Sequence, residues 1–432
     1  MNILAWLKGV LVEWWAAVLD EFRHVQSIDG FAAWVGEYAL LFPAGMCVVW
    51  MVFALLYVVR RESRLPFDPA LRLTVAVVIP ARNEERGIVR TIESLLSQSY
   101  SALTIHVVSD ASTDRTAALA RQFESRGVIV HELTSRHGKS GALQHVLDRI
   151  DDDLYMVVDA DTIAQPGSIL AIVQQFADPH VAGVTGNPRI AECRNPLMAM
   201  QAMEYMGIIG LIKRADSFWG GLYTVSGAAA CFRTRVLREV GGWSGASVTE
   251  DIELSWRMQK AGHELAYEPR AGFLIQAPAT FKALYRQRTR WARGMLEVLR
   301  LHGNLLWTGN SALIPMAAQV LGTLLWMMFA LATTAVWIVT TINAVATGAP
   351  VDHETALRVL GLTTGLFIAQ TLIACIWENH HRPGLWKFVP MALLFPLYYW
   401  TVILPSFILG MRAATASRGE STAVWEPTAR SA

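Results

Sequence analysis

Residues 310–351 carry no charged side chain, and residues 359–377 and 388–411 are two further runs of the same kind. An α-helix needs about 20 apolar residues to cross the hydrocarbon core of a bilayer. The C-terminal part of the chain is therefore confined to membrane helices. Residues 39–59 form a fourth charge-free run, which ends abruptly at Arg60, Arg61 and Arg64. By the positive-inside tendency these arginines put the downstream end of that run, and the polar segment after it, in the cytoplasm. At least four spans follow. Pro390, Pro396 and Pro405 interrupt the last run, which makes it either a simple kinked span or a re-entrant element beside protein or a water-filled path. Four spans with a cytoplasmic polar domain put the C-terminal tail outside unless that run re-enters.

With 53% hydrophobic and 17% charged residues among 432, the chain is too apolar for an ordinary soluble enzyme. Its 37 basic and 36 acidic residues leave a formal net charge of +1, so no global field favours nucleic acid or an acidic polymer as partner. Cys47, Cys193, Cys231 and Cys375 lie far apart, show neither a metal spacing nor a disulfide framework, and read as buried small hydrophobes. In residues 1–22, Lys8, Glu13 and Asp20 break the apolar pattern. That fits an interfacial helix or a poor first span better than a cleavable signal peptide.

The organisation expected is an N-terminal membrane region over 1–70 with its span at 39–59, a polar domain over 71–304, a membrane region over 305–411 and a tail over 412–432. The polar domain alternates short β-rich runs (73–79, 103–108, 128–132 and 154–158) with helical stretches, the pattern of a doubly wound, mostly parallel α/β sheet. Ligands in such sheets bind where strands end at their carboxyl edge. The residues just after each run are thus the informative ones.

The first run leads into Pro80, Ala81, Arg82, Asn83, Glu84 and Glu85, and the second into Asp110, Ala111, Ser112, Thr113 and Asp114. A strand-end carboxylate such as Asp110 can accept hydrogen bonds from a base or ribose. Ser112 and Thr113 can instead cap the next helix, with Asp114 favouring its positive end. Asp159 and Asp161 follow the run 154–158 at a spacing that lets both reach one hard cation, Mg2+ or Mn2+, or a cation and a ribose. Such a cation would neutralise a diphosphate leaving group. His137, Gly138, Lys139, Ser140 and Gly141 precede a helical run from Ala142, a cationic turn suited to phosphate or simply a solvated lysine.

Thr249 can cap a helix whose first turn holds Glu250 and Asp251. A hydroxyl that attacks an anomeric carbon needs a base, and a carboxylate at a site edge is the usual one. This assigns the base to Asp251, with Glu250 as supporting or alternative carboxylate. Gln287, Arg290 and Trp291 fall at i, i+3 and i+4 and share one helix face, offering a guanidinium for diphosphate and an indole for a sugar ring. An interfacial basic and aromatic belt is the plainer reading of that segment.

With a strand, Asp110, Asp-x-Asp, Thr-Glu-Asp and Gln-x-x-Arg-Trp in this order between membrane segments, the chain resembles processive family-2 glycosyltransferases: cellulose, chitin and hyaluronan synthases. Through residues 184–190, 208–214, 225–227 and 249–256 it is similar to the bacterial poly-β-1,6-N-acetylglucosamine synthases of biofilm matrix. The resemblance runs from about Leu41 to the Trp425 region. It implies a GT-A domain in which Asp110 and the edge Pro80, Ala81, Arg82 and Glu84 hold uridine. Lys139 would approach the diphosphate, Asp159 and Asp161 the metal and nucleotide, Asp251 the acceptor hydroxyl, and Gln287, Arg290 and Trp291 the diphosphate and polymer end.

The resemblance also implies an inverting, single-displacement transfer of N-acetylglucosamine from a UDP-sugar to a growing β-1,6 chain, in a multi-pass protein of the bacterial inner membrane. The product would leave through a channel of membrane helices. A small two-helix membrane partner and control by a cyclic dinucleotide come with the same family. Ala111 stands where Gly is common, and Arg293, Gly294 and Met295 where a Gln-Gly-Gly run is usual. Two alternatives are a non-processive transferase that modifies a lipid, and a nucleotide-sensing transporter or channel that would need no base.

Overall fold

The computed structural model describes residues 28–62, 68–307, 313–350, 354–379 and 384–416, together with Glu13. The expected interfacial helix over 1–22 and residues 417–432 of the tail lie outside them. The first charge-free run belongs to a longer helix, α1 (Ile28–Arg60).

The polar domain begins with β1 (Val75–Ala81), whose residues are all buried because helices cover both faces of the sheet. Its side chains alternate: Val75, Val77 and Ile79 enter one core while Ala76 and Val78 enter the other, the period-2 consequence of the pleat. Helix α2 (Ile88–Leu96) buries Ile88, Thr91, Ile92 and Leu95, a single stripe at helical spacing. Then come β2 (Leu103–Asp110), α3 (Thr116–Arg121), β3 (Val128–Leu133), α4 (Gly138–Leu147), β4 (Leu154–Val158), β5 (Ile163–Ala164), α5 (Ser168–Gln175) and β6 (Val181–Ile190). Helix α6 (Pro196–Glu204), a π-turn (Tyr205–Gly210) and α7 (Leu211–Trp219) lead to β7 (Ala229–Arg233), followed by α8 (Thr234–Glu239), α9 (Glu250–Lys260) and β8 (Glu264–Ile275).

The strands form one eight-stranded sheet in the order β3-β2-β1-β4-β7-β6-β8-β5. Strands β3, β2, β1 and β4 are parallel neighbours, as the doubly wound reading expects. The other half is mixed. Strand β7 runs antiparallel to both β4 and β6, and β5 antiparallel to β8, while β6 and β8 are parallel. The chain reaches β7 through α6 and α7, not through a right-handed crossover, so its direction is free to invert. The order reverses beside β1, which opens a crevice at the carboxyl ends of β1 and β4.

Helix α10 (Phe281–His302) links the sheet to α11 (Ile314–Thr347) and α12 (Glu354–Glu378). The last run is a 3-10 turn (Leu385–Leu394), α13 (Phe395–Tyr398), a π-turn (Tyr399–Ile403) and α14 (Leu404–Ala416). Its hydrogen-bond pattern changes around the three prolines, which cannot donate an N–H, and the helix continues past the expected boundary at 411. Four stretches are long and apolar enough to cross a membrane: Trp34–Arg60, Ile314–Thr347, Gly361–Glu378 and Leu385–Ala416. Cys231 and Cys375 are buried, Cys47 and Cys193 half-buried, and all four are free.

The C-terminal ends of α1 and α12 meet the polar domain at one place. Arg214, fully buried in α7, pairs with Glu62 at 3.0 Å and with Glu378 at 2.9 Å. Glu378 also accepts from Arg189 Nε at 3.1 Å and Asn187 Nδ2 at 3.0 Å, both on β6. Both long apolar helices therefore end at the same place on the polar domain.

At the outer edge of the sheet, His106 Nδ1 lies 3.1 Å from His131 Nε2, and the rings of His131 and His145 are 5.3 Å apart. Burial, then the charges possible on His106 and His145 and that of Arg149, push His131 down to about 4. Below an unfolded value of about 6.5 the unfolded chain binds the extra protons, so stability is expected to fall as pH drops from about 6.5 toward 4. Thermal unfolding between pH 7.5 and 5 should show this fall, and His131→Gln should flatten it; an unchanged slope would place its origin elsewhere.

Candidate active site

The crevice is bounded by the turns that leave β1 and β2, which are stitched together. Asn83 Oδ1 accepts from Thr113 N at 2.8 Å, Thr116 Oγ1 from Glu84 N at 2.8 Å, and Asp114 Oδ2 from Glu85 N at 3.1 Å. Asp114 also accepts from Thr116 N at 3.0 Å, so the cap of α3 comes from Asp114 and not from Ser112 or Thr113. Arg82 donates to the Asp110 carbonyl at 2.8 Å; Pro80 and Ala81 are the last residues of β1.

Ala111 has a φ of +50°, a left-handed conformation that costs a residue with a Cβ roughly 1–2 kcal/mol and a glycine nothing. This is the physical reason for a glycine preference there. Ala111→Gly is expected to raise stability by roughly 0.5–1 kcal/mol, after the larger entropy loss of glycine is deducted. The unfolding midpoint would read it.

The Asp110 carboxylate is fully buried and accepts from His137 N at 2.7 Å and Gly138 N at 2.9 Å. Both oxygens thus serve amide donors that the start of α4 leaves unpaired, which anchors that helix start. Helix α4 begins at Gly138, four residues before the expected start, and Lys139 lies in its first turn. Lys139 Nζ reaches Asp159 Oδ1 at 2.8 Å and Glu250 Oε1 at 2.9 Å. Burial works against this ammonium, but the charges of Asp159, Glu250 and Asp251 more than offset it and hold its pKa above the usual lysine value.

Asp159, Ala160 and Asp161 turn directly under the N-terminus of α2: a Cβ on Gly87 would stand 2.8 Å from the Ala160 carbonyl oxygen. Asp161 is buried. Among the described residues no group of three or more His, Cys, Asp or Glu side chains could hold a metal. Two carboxylates fit a cation whose remaining ligands are substrate phosphates and water, the Mg2+ habit, and not a closed all-protein site.

Across the crevice, Asp251 opens α9. Its Oδ2 accepts from Gly227 N at 2.7 Å and its Oδ1 from Ile252 N at 2.9 Å. Burial and then the neighbouring Glu250 push its carboxyl up to about 6, against the opposing pull of Lys139. A carboxylate tuned toward neutrality is suited to take a proton. Glu250 is buried in its pair with Lys139, which makes it a supporting group. Thr249 does not cap α9 through its side chain; its Oγ1 lies 3.1 Å from Ser247 Oγ, and a Cβ on Gly294 would come 2.3 Å from it. Gly294 thus lets α10 pack directly on the Ser247–Thr249 segment.

Gln287, Arg290 and Trp291 all lie on α10, as their spacing predicts. Arg290 donates to the Val248 carbonyl at 3.3 Å, beside the Asp251 segment. The Gln287 Oε1 is buried without a hydrogen-bond partner among the described residues. Trp291 is half-buried, with the Arg288 guanidinium 4.2 Å over its ring. One indole face is therefore already occupied. Sequence reasoning gave no separate role to Arg288, which pairs with Glu204 of α6, or to Lys213 and Gly227, both discussed below.

Residues 72–294 match the family described as glycosyltransferase like family 2. Poly-beta-1,6-N-acetyl-D-glucosamine synthase of Staphylococcus epidermidis is 32% identical over 275 residues, 61% of this chain and 66% of that protein. The enzyme of the same name from Staphylococcus aureus strain COL is 32% identical over 271 residues, with the same shares of both chains. The match thus spans just under two thirds of these relatives' length. Among solved structures, a mannosyltransferase from Pyrobaculum calidifontis in complex with GDP-Man and Mn2+ superposes with a TM-score of 0.58 at 18% identity, over 90% of this chain and 99% of that one. It shares the GT-A fold. With its family model covering the strand-end carboxylates and the helix of Trp291, the chain belongs to the family-2-like glycosyltransferases.

Proposed function

We propose that the protein is an inverting polysaccharide synthase of the bacterial inner membrane that transfers N-acetylglucosamine from UDP-N-acetylglucosamine to a growing β-1,6-linked chain at the cytoplasmic face, for export as a biofilm polymer. The observation that carries a transferase is the opposed pair of Asp251, poised to accept a proton, and Lys139 with Asp159. The sugar and linkage rest on the poly-β-1,6-N-acetyl-D-glucosamine synthases that the chain resembles at 32% identity.

In this reading the nucleoside lies along Pro80, Ala81, Arg82 and Glu84, an edge that Asp110 shapes by anchoring the start of α4. Lys139 and Arg290 bring cationic groups to the diphosphate, and Gln287 and Trp291 position the polymer end. A divalent cation held by Asp161 and Asp159 would offset the charge of the departing UDP; the mannosyltransferase of the same fold was solved with Mn2+. Asp251 takes the proton of the acceptor hydroxyl as its oxygen bonds to the anomeric carbon, and UDP leaves with the electrons of the broken bond. No covalent enzyme intermediate is required. Membrane lipid surrounds the four apolar stretches, and a small two-helix partner and a cyclic dinucleotide would assist and regulate.

The test supplies membranes containing the protein and its candidate partner with radiolabelled UDP-N-acetylglucosamine and Mg2+, beside Asp251→Asn. High-molecular-weight label made only by the wild type and digested by a β-1,6-N-acetylglucosaminidase supports the proposal. Label confined to lipid, or none from any UDP-sugar, refutes it.

A further inference from the structure

Lys213 lies on α7 with only 3% of its surface exposed. Among the described residues it forms no ion pair, an unusual condition for a buried ammonium. Its Nζ donates instead to two hydroxyls, Ser226 Oγ at 2.5 Å and Thr185 Oγ1 at 3.3 Å. Thr185 Oγ1 also accepts from Ser226 N at 2.9 Å, so Ser226 is held at both its backbone and its side chain. The next residue is Gly227, whose N–H bonds Asp251 Oδ2 at 2.7 Å. A Cβ at Gly227 would stand 2.8 Å from that same oxygen. The carboxylate thus rests directly on the turn that Lys213 ties down.

We propose that Lys213 is a positioning residue for Asp251: it locks the Val225–Gly227 turn beneath that carboxylate and sets a buried positive charge behind it.

The charged and titratable groups facing Lys213 fit this role. Asp251 comes from α9 and Asp216 from its own helix, and both support the ammonium, in that order, against burial, which lowers it to about 7. Tyr267 of β8 offers its ring at 5.8 Å. Beyond Asp251 lies Glu250, paired with Lys139 at 2.9 Å, and Lys139 is shared with Asp159 at 2.8 Å. Lys213 is a further cation of the region, and it is bonded to the hydroxyls of Ser226 in the turn and Thr185 on β6. A lysine kept only for packing would gain from a carboxylate partner or from an apolar replacement.

The inference rests on Asp251 being the base, and the test separates the two. Purified full-length protein would be assayed with UDP-N-acetylglucosamine and Mg2+ across pH 5 to 8. Lys213→Met is expected to lower kcat by about tenfold or more with little change in KM for the UDP-sugar, and to move the acid limb of the kcat profile up by about half a unit or more, because removing a positive charge makes a carboxylate harder to ionise. Ser226→Ala keeps the charge and loosens the turn, so it should lower kcat and leave the limb in place. Lys213→Met with both KM and the acid limb at wild-type values and kcat intact overturns the proposal, as does a lowered kcat with an unmoved limb. If Lys213→Met does not fold, Ser226→Ala at wild-type kcat overturns it. Asp251→Asn that retains wild-type rate refutes the base assignment itself, whatever Lys213 does.

Discussion

Asp251→Asn is expected to lower sugar transfer by about 10²–10⁴-fold, the range over which a positioned general base contributes, while UDP binding stays within a few-fold of wild type. The amide is nearly isosteric and its oxygen can still accept from Gly227 N, so the turn and the neighbouring Lys139 pairs have no reason to move. Proton acceptance is lost, together with the bond accepted from Ile252 N. Because the folded carboxyl is raised to about 6 from 3.8, the folded protein holds the extra proton between those values. Stability contributed by this group is therefore present at low pH and lost as pH rises through about 6. At pH 7 the charged, buried Asp251 is a cost, and its removal offsets the bond from Ile252 N that the Asn variant gives up, so the variant's stability should stay close to wild type. A binding titration with UDP and an unfolding curve beside the kinetics check all three statements. Loss of activity with a lowered unfolding midpoint would point to damage of the fold, and retained activity to a different base. For the wild type the same pKa places the acid limb of the rate near pH 6, since the base works only when ionised.

The second large effect is expected at a distance from the chemistry. Glu378 is 3% exposed and receives Arg189, Arg214 and Asn187. Among the described residues, Glu378→Ala would leave Arg214 with Glu62 and the Gly210 carbonyl, and Arg189 with Gln165 and the Pro269 carbonyl. Removing one partner of a buried ion pair costs about 3–5 kcal/mol, a large share of the roughly 5–15 kcal/mol by which a folded protein is stable. We expect the variant to be recovered poorly from membranes and to elute as aggregate in size-exclusion chromatography, with Glu378→Gln intermediate because it keeps a hydrogen-bonding oxygen. A monodisperse Glu378→Ala with a wild-type midpoint would mean that the packing of α12 against the Tyr205–Gly210 turn, the Leu385–Leu394 turn and α1 suffices. The network matters because it joins two long apolar helices to β6, the strand that also carries Thr185 beneath the Lys213 turn.

Much of this was legible in the residues. Charge-free runs mark the membrane helices because a single charge at membrane depth is costly. The β-rich run at 154–158 coincides with β4, and the carboxylates after it lie in the crevice, because strand period and strand ends are local properties. The i, i+3, i+4 spacing placed Gln287, Arg290 and Trp291 together for the same reason. One reading failed where a local rule met a distant partner. Thr249 looked like a cap, but its hydroxyl lies against Ser247 and Gly294. The sheet is mostly parallel, as expected, while the inversion at β7 depends on a long excursion through α6 and α7 that no local pattern marks.

What the sequence determined by itself were the apolar helices, the strand ends and the residue types that could carry the chemistry, since each is written in periodicity and charge over a few neighbouring positions. Only the tertiary structure decided that Lys139 bridges Asp159 and Glu250, that Lys213 bonds the turn under Asp251, and that Glu378 ties a long apolar helix to β6. These are pairings across tens to hundreds of residues, and their energy comes from burying two groups together, which no local pattern encodes.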